Sequence, residues 1–345
     1  MMQTTDTIDA ATERIVLAHG GGGQLTQQLL AQRVLPHLGN KLLNPLEDSA
    51  MLPPSDRRQV FTTDAFVVQP LEFPGGDIGR LAVCGTVNDL AVMGADPVAL
   101  SLALIVEEGL PLAVFDRIVA SIAATATEAG VPIATGDTKV IERRGGDGIM
   151  ITTAGIGAVR QGVELSASRI QPGDVVIVNG GIAEHGLTIM SVREGIGFDT
   201  DLRSDAAPLN GLIAAVLDSG ADVKFMRDPT RGGLAGVLCD VAENAGVGVH
   251  IEEGRLPISP VVRHTSELLG LDPLTVANEG KVVIVVAQAD AERVLAACRS
   301  HPLGAGAAQI ATVVESDWPL VELRTVIGGA RIVQRPYGEE LPRIC

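Results

Sequence analysis

The chain has 345 residues, which is enough for two domains with separate hydrophobic cores. Its formal net charge of −16 and its aromatic content of 2% disfavour nucleic acids and anionic membranes as partners. Its 4 cysteines are widely spaced and form no CxxC pair, which argues against a zinc site or a disulfide framework. With neither a signal-peptide core near the start nor an apolar run of membrane-spanning length, this pattern predicts a reducing, cytoplasmic location.

A glycine-rich segment is the first candidate binding feature. Residues 1–14 are polar and are predicted to be disordered; an apolar run then opens into four consecutive glycines and a predicted amphipathic helix at 24–38. Glycine backbones can approach a phosphate closely, and a helix start favours an anion. Neither the Rossmann nor the Walker spacing is present, so a flexible surface loop is the alternative. The glycines are Gly20, Gly21, Gly22 and Gly23.

Strands and helices alternate through the remainder of the chain. In the first half, strands are predicted at 60–68, 98–106, 131–141 and 149–159, and helices at 80–93 and 111–129. In the second half, strands are predicted at 175–179, 248–251, 282–286 and 308–314, and helices at 184–194, 209–219, 233–243, 261–269 and 291–300. This alternation predicts α/β or α+β layers. We place one domain at 15–165 and a second at 166–334.

The last eleven residues, 335–345, are predicted to form a mobile tail that ends in Cys345. Pro336 and Pro342 favour an extended backbone, and Gly338 supplies a flexible joint. Such an arm can carry a terminal thiol into a pocket. The alternative is a frayed end whose last residue happens to be a cysteine.

Acidic residues interrupt otherwise apolar segments. A lone carboxylate inside a strand or an apolar helix is costly to bury unless it is paired or binds a metal. Each acid taken alone also fits a helix N-cap, a turn or half of an ion pair. Taken together they suit Mg²⁺, which prefers oxygen ligands and usually keeps substrate phosphates in its shell. The candidate metal ligands are Asp48, Asp64, Asp89, Asp137 and Asp228.

Other polar residues stand beside these acids. Thr63 and Asn88 add neutral oxygens next to two of them. Lys139 follows Asp137 by two positions, so both side chains share a face if the strand is regular. Lys139 and Glu279 are candidates for proton transfer, and surface ion pairs are the alternative for both.

Several motifs together carry a family resemblance. The chain resembles the ATP-using superfamily of aminoimidazole ribonucleotide synthetase in Thr63-Asp64, VNDLAVMGADP (87–97), TGDTK (135–139) and DPTRGG (228–233). With NEGK (278–281), HPLG (301–304) and the terminal LPRIC (341–345), it is similar to the HypE family of hydrogenase maturation carbamoyl dehydratases. The resemblance runs from about residue 15 to the last residue.

That resemblance implies a two-domain α/β (α+β) fold like that of aminoimidazole ribonucleotide synthetase. The N-terminal domain would pair with its copy in a homodimer to form a β-barrel, followed by a C-terminal α/β domain and the tail. ATP with Mg²⁺ would bind at the junction of domains and subunits. The implied cofactor-binding residues are the four glycines, Thr63, Asp64, Asn88, Asp89, Asp137, Thr138 and Asp228. Glu47 stands where many superfamily members have a second aspartate, which leaves the role of Glu47 in doubt but retains Asp48.

The resemblance also implies a reaction. The carbamoyltransferase HypF would place a carbamoyl group on the sulfur of Cys345, and ATP would phosphorylate the carbamoyl oxygen. A base would then remove the nitrogen protons, and phosphate would leave a protein thiocyanate. The cyanide would pass to iron on the HypC–HypD complex. The catalytic residues would be Cys345, Glu279 as the base and Lys139 as a charge stabiliser, because a nearby carboxylate opposes neutralisation of a lysine.

Two other functions remain open at this point. A small-molecule kinase or synthetase of the same superfamily would not need Cys345. A non-enzymatic carrier of cyanide made elsewhere would not need Asp89 or Lys139. The embedded acids count against the carrier, and the terminal LPRIC motif counts against the small-molecule enzyme.

Overall fold

The computed structural model describes residues 14–21, 24–44, 46, 49–143, 147–195, 202–336 and 343–345. Three of the predicted site residues, Gly22, Gly23 and Asp48, lie outside these described residues. The same holds for Glu47, for residues 1–13 of the segment predicted to be disordered, and for 337–342 of the predicted mobile tail.

Helices and strands alternate along the described chain, as the sequence predicts. The helices are α1 (Gln24–Leu29), α2 (Leu35–Leu38), α3 (Ile78–Val92), α4 (Leu112–Ala129), α5 (Glu184–Arg193), α6 (Asn210–Asp218), α7 (Gly233–Ala245), α8 (Pro260–Leu269) and α9 (Ala291–Arg299). The strands are β1 (Gln59–Phe66), β2 (Glu72–Phe73), β3 (Gly76–Asp77), β4 (Ala95–Glu107), β5 (Ile133–Ile141), β6 (Ile149–Val159), β7 (Val175–Val178), β8 (Val223–Arg227), β9 (Gly248–Glu252), β10 (Val283–Val286), β11 (Ala308–Val314), β12 (Leu320–Arg324) and β13 (Ala330–Ile332).

The helix predicted at 24–38 is helical throughout but not uniform. A π-helical turn, Leu30–Val34, separates α1 from α2. Pro36 lies in the first turn of α2, where its missing N–H and its ring disturb the regular α-helical hydrogen bonds. Proline therefore explains the change of pitch.

The first half forms a four-stranded sheet in the order β1-β6-β4-β5. β4 and β5 are parallel, and the other neighbours are antiparallel. Helix α3 packs on β1, β4 and β6, and α4 packs on α3, so one face of the sheet is covered. Alternating residues on the other face are only partly buried, among them Ile105, Met150 and Ile156, while Phe61 is 71% exposed. We call this uncovered side the open face.

The second half forms a seven-stranded sheet in the order β13-β12-β9-β11-β7-β10-β8. In β7, Val176 and Val178 pack in one core with α7, whereas Val175 and Ile177 pack in a second core with α6 and α9. All four side chains are buried, so this strand reads as a continuous apolar run rather than an alternating one.

The fold class predicted from the sequence is confirmed, and the main elements begin and end close to their predicted positions. Strands β2, β3, β8, β12 and β13 were not predicted; β2 and β3 are two residues long each, and β8 and β13 lie at the two edges of the seven-stranded sheet. β8 and β12 mix charged and apolar residues in short stretches, which weakens their strand pattern. The exact domain limits and the dimeric barrel remain predictions. In the described part of the chain, no helix is both long and apolar enough to cross a membrane.

Candidate active site

Strand β1 and helix α3 bring two predicted acids together. Asp64 extends from β1 towards α3, where the Thr86 hydroxyl donates to its Oδ2 at 3.3 Å. Asp89 lies on α3, and its Oδ2 accepts from the Thr62 hydroxyl of β1 at 2.6 Å. Because α3 packs directly on β1, both carboxyls sit at one contact between strand and helix.

Two acids of the second half join this pair. Burial, followed by the charge of Asp89, raises the pKa of Asp64 to about 6. Burial, followed by the charges of Asp89 and Asp64, raises the pKa of Asp228 to about 7. Burial and then Asp228 raise the pKa of Glu279 well above its usual value, with Arg231 opposing weakly. The charge of Asp89 acts on Asp64 and Asp228, and the charges of Asp64 and Asp228 act on Glu279, so these four residues form one electrostatically linked group, which we call the acidic cluster.

The acidic cluster has the donor chemistry that Mg²⁺ prefers. Its oxygens are carboxylates and hydroxyls, and Oε1 of Glu279 is buried without a hydrogen-bond partner among the described residues. No group of three or more His, Cys, Asp or Glu residues in the described ranges is arranged to hold a metal ion by itself. Mg²⁺ in nucleotide sites commonly uses only one or two carboxylates and takes its remaining ligands from phosphate and water. The cluster therefore fits a Mg²⁺–nucleotide complex better than a bare ion.

The backbone of Glu279 is fixed by both halves of the protein. Asn88 donates from its side-chain amide to the Glu279 carbonyl at 3.1 Å and accepts from the Leu209 N–H at 2.7 Å. Asp205 Oδ1 accepts from the Glu279 N–H at 3.1 Å. A Cβ on Gly280 would lie 1.9 Å from the Asp205 carbonyl oxygen, so this turn requires glycine. The side-chain amide of Asn88, a residue predicted to bind the cofactor, thus forms hydrogen bonds that position Glu279.

Alternation along β1 separates Thr63 from the acidic cluster. Thr63 donates to the Thr153 carbonyl at 2.9 Å and lies on the open face, whereas Thr62 shares the covered face with Asp64. Sequence reasoning missed Thr62. The signal was available, because residues two apart on a strand share a face.

Asp137 and Lys139 lie on β5, at the opposite edge of the four-stranded sheet from β1. They pair with Ala103 and Ile105 of β4, and by alternation they share the open face. Thr138 faces the covered side between them, and its N–H donates to Asp137 Oδ1 at 2.8 Å. Three strand spacings, roughly 14 Å, separate β5 from β1, and Asp137 and Lys139 face the side of the sheet opposite to Asp64.

The described part of the glycine-rich segment lies against the same edge. A Cβ on Gly20 would stand 2.2 Å from the Val140 backbone nitrogen of β5, so the segment approaches this strand as only glycine can. Gly21 is exposed beside it. Candidate residues therefore form two groups: the acidic cluster near β1, and the glycines with Asp137, Thr138 and Lys139 on β5.

The terminal residues pair with the segment that follows β1, the strand that carries Asp64. The Val67 N–H, three residues beyond Asp64, donates to the Cys345 carbonyl at 3.3 Å. Ile344 is 3% exposed, and Cys345 packs against the core of the first half. The strand that carries Asp64 thus leads directly to the terminal cysteine.

Comparisons with known proteins identify the families and relatives that this chain matches. The model described as "AIR synthase related protein, N-terminal domain" matches residues 46–159, and the corresponding C-terminal model matches residues 171–319. Carbamoyl dehydratase HypE from Rhizobium leguminosarum bv. viciae is 50% identical over 98% of this chain and 97% of its own length.

Two solved structures extend the comparison. A crystal structure of the hydrogenase maturation protein HypE in complex with ATP superposes with a TM-score of 0.92 at 40% identity, covering 96% of this chain and 99% of that chain. HypE in a HypE–HypF complex gives a TM-score of 0.78 at 45% identity, covering 91% and 100%. These matches favour the dehydratase over a small-molecule kinase or synthetase. The chain belongs to the HypE family of carbamoyl dehydratases, built on the AIR synthase-related fold.

Proposed function

We propose that this protein converts an S-carbamoyl group on its own Cys345 into a thiocyanate, with consumption of ATP, and so provides cyanide for the iron of a hydrogenase. The observation that carries the proposal is the position of the terminal residues. Cys345 is bound just beyond the strand that holds Asp64, an acid whose pKa is raised by partial burial.

The acidic cluster is the proposed site for Mg²⁺ and the triphosphate. Asp64, Asp89 and Asp228 would supply carboxylate oxygens, and bound Mg²⁺ would lower their pKa values by favouring the charged forms. Mg-ATP supplies a phosphoryl group that turns the carbamoyl oxygen into a good leaving group. Asp48, which lies outside the described residues, remains a predicted ligand, as does Asp137.

The chemistry balances with one buried base. The carbamoyl oxygen takes the γ-phosphoryl group, which gives ADP, and Glu279 takes the first proton from the carbamoyl nitrogen, whereas the second proton leaves with the departing phosphate. The carbon–oxygen bond then breaks, phosphate leaves with that oxygen, and a carbon–nitrogen triple bond forms. Burial equips Glu279 for this role, because a carboxylate with a raised pKa is a stronger base when it is ionised.

A second copy of the chain would complete the site. Within one chain, Lys139 on β5 and Asp64 of the acidic cluster on β1 lie at opposite edges of a sheet whose open face carries partly exposed apolar residues. Pairing two open faces would bury Phe61, Ile105 and Ile156 and would bring β5 of one subunit towards β1 of its partner. This supports a homodimer in which Lys139 acts across the interface to stabilise the developing negative charge.

The remaining partners follow from the family. Similarity to the HypE–HypF complex supports HypF as the donor of the carbamoyl group. Transfer of cyanide to an iron-carrying HypC–HypD complex is a prediction from the same resemblance. A reducing, cytoplasmic location, which would keep Cys345 as a thiol, is also still a prediction.

The function can be tested by the mass of the C-terminal peptide after incubation with HypF and a carbamoyl donor, with and without Mg-ATP. We expect Cys345 to gain a carbamoyl group that loses one water only when Mg-ATP is present. Cys345→Ser is the matched control and should not form the thiocyanate. Consumption of ATP with an unmodified Cys345 would instead favour a soluble substrate.

A further inference from the structure

The last three residues are held against residues 67–69 by backbone hydrogen bonds. The Val67 N–H donates to the Cys345 carbonyl at 3.3 Å, and the Gln69 N–H donates to the Arg343 carbonyl at 3.2 Å. Residue numbers increase along one segment and decrease along the other, so the two segments run antiparallel. Pairing of this kind uses backbone atoms and gives affinity without selecting side chains.

Side chains add selectivity to the pairing. Ile344 is 3% exposed and belongs to the core of the first half. Arg343 forms an ion pair with Asp147, with 3.1 Å between Nη1 and Oδ1. The Arg193 guanidinium donates to the Gln69 carbonyl at 2.7 Å and also to the Arg343 carbonyl, which ties both segments together.

His185 holds the carbonyl between these two pairs. It is fully buried; its Nε2 lies 2.7 Å from the Ile344 carbonyl and its Nδ1 lies 2.8 Å from the Ser204 hydroxyl. A carbonyl can only accept, so Nε2 carries the hydrogen and Nδ1 accepts from Ser204. The Ser204 oxygen in turn accepts from the Ala206 N–H at 3.2 Å. This chain of donors is directed at the tail.

The same segment also contacts the base. Asp205, next to Ser204, accepts from the Glu279 N–H at 3.1 Å and forms an ion pair with Lys281 at 2.9 Å. Residues 204–206 therefore contact His185, which holds the tail, on one side and the backbone N–H of Glu279 on the other.

We propose that His185, oriented by Ser204, is a positioning residue that holds the Ile344 carbonyl and thereby sets Cys345 relative to Glu279. The inference rests on the function proposed above. In the bound state the ring is fully buried and its Nε2–H is satisfied by the Ile344 carbonyl, so departure of the tail loses a buried hydrogen bond. That hydrogen bond favours the bound tail and limits the positions open to Cys345.

His185→Leu tests the proposal, because leucine keeps a side chain of similar bulk in the buried position and removes both ring nitrogens. We expect the amides of Val67 and Gln69 to exchange hydrogen about tenfold faster in the full-length protein, as expected for the loss of one buried hydrogen bond. His185→Gln retains a donor near the Nε2 position and should restore part of the protection. His264→Leu, on the exposed surface of α8, is the control.

Hydrogen exchange needs neither ATP nor a carbamoyl group, so it tests this role even if the proposed function fails. In the ATP-dependent reaction, His185→Leu should slow the loss of water from carbamoylated Cys345 by about tenfold and leave the KM for ATP unchanged. Wild-type protection of Val67 and Gln69 in His185→Leu would overturn the proposal. If that variant does not fold, Ser204→Ala should still speed exchange at both amides, and unchanged exchange there would overturn it equally.

Discussion

Replacing Glu279 by glutamine should slow the ATP-dependent dehydration of carbamoylated Cys345 by at least about 100-fold, the usual effect of a general base. Glutamine keeps the shape of the side chain but cannot take a proton. The backbone contacts with Asn88 and Asp205 remain, so the loss would reflect chemistry rather than folding. The rate is measured as conversion of the carbamoyl peptide to the thiocyanate peptide.

Two controls sharpen this result. Glu292→Gln changes an exposed acid in the first turn of α9 and should leave the rate unchanged. ATP binding by Glu279→Gln should also persist, since Mg²⁺ is assigned to the other acids. Because the pKa of Glu279 is raised, the wild-type rate should increase with pH as the carboxyl ionises. A Glu279→Gln variant with the wild-type rate would show that the base lies elsewhere.

Replacing Asp228 by asparagine should stabilise the metal-free protein at about pH 8, on the order of 2 kcal/mol. The pKa of Asp228 is raised to about 7 in the folded chain, against an ordinary value of 3.8. Between these values the folded state binds more protons than the unfolded state, so the free energy of unfolding falls as pH rises. The free-energy cost of ionising Asp228 in the folded state is complete above the pKa of the folded state and absent below the pKa of the unfolded state. Asparagine removes this cost.

Thermal unfolding in the presence of a chelator measures this effect. We expect Asp228→Asn to raise the Tm at about pH 8 and to lose most of that gain near pH 4. Asp317→Asn, at an exposed turn, is the matched control and should change neither value. A lower Tm for Asp228→Asn at the alkaline pH would mean that the carboxylate is already compensated and that the acidic cluster is not electrostatically strained.

Periodicity explains why much of the fold was predictable. β7 is an apolar run buried on both faces, and α4 repeats buried residues at helical spacing, so local sequence determines both. Asp64 and Asp89 were identifiable for the opposite reason: each breaks an apolar pattern, and burying a carboxylate there has to serve a purpose.

Long-range contacts explain what sequence reasoning missed. His185, Ser204 and Asp205 acquire their roles from contacts with residues 344 and 279, far along the chain. The order of strands in a sheet is likewise not encoded locally. Lys139 was therefore expected beside the same site as Asp64, although within one chain β5 and β1 lie at opposite edges of the sheet.

If ATP phosphorylates the carbamoyl oxygen on Cys345, that oxygen should leave in the inorganic phosphate, and an oxygen isotope can trace the transfer. Cys345 is carbamoylated with a heavy oxygen isotope, Mg-ATP is added, and the inorganic phosphate released is analysed by mass. We expect one heavy oxygen in each phosphate formed together with a thiocyanate. Unlabelled phosphate, with the heavy oxygen released as water, would contradict phosphorylation of the carbamoyl oxygen and would leave ATP only an indirect role.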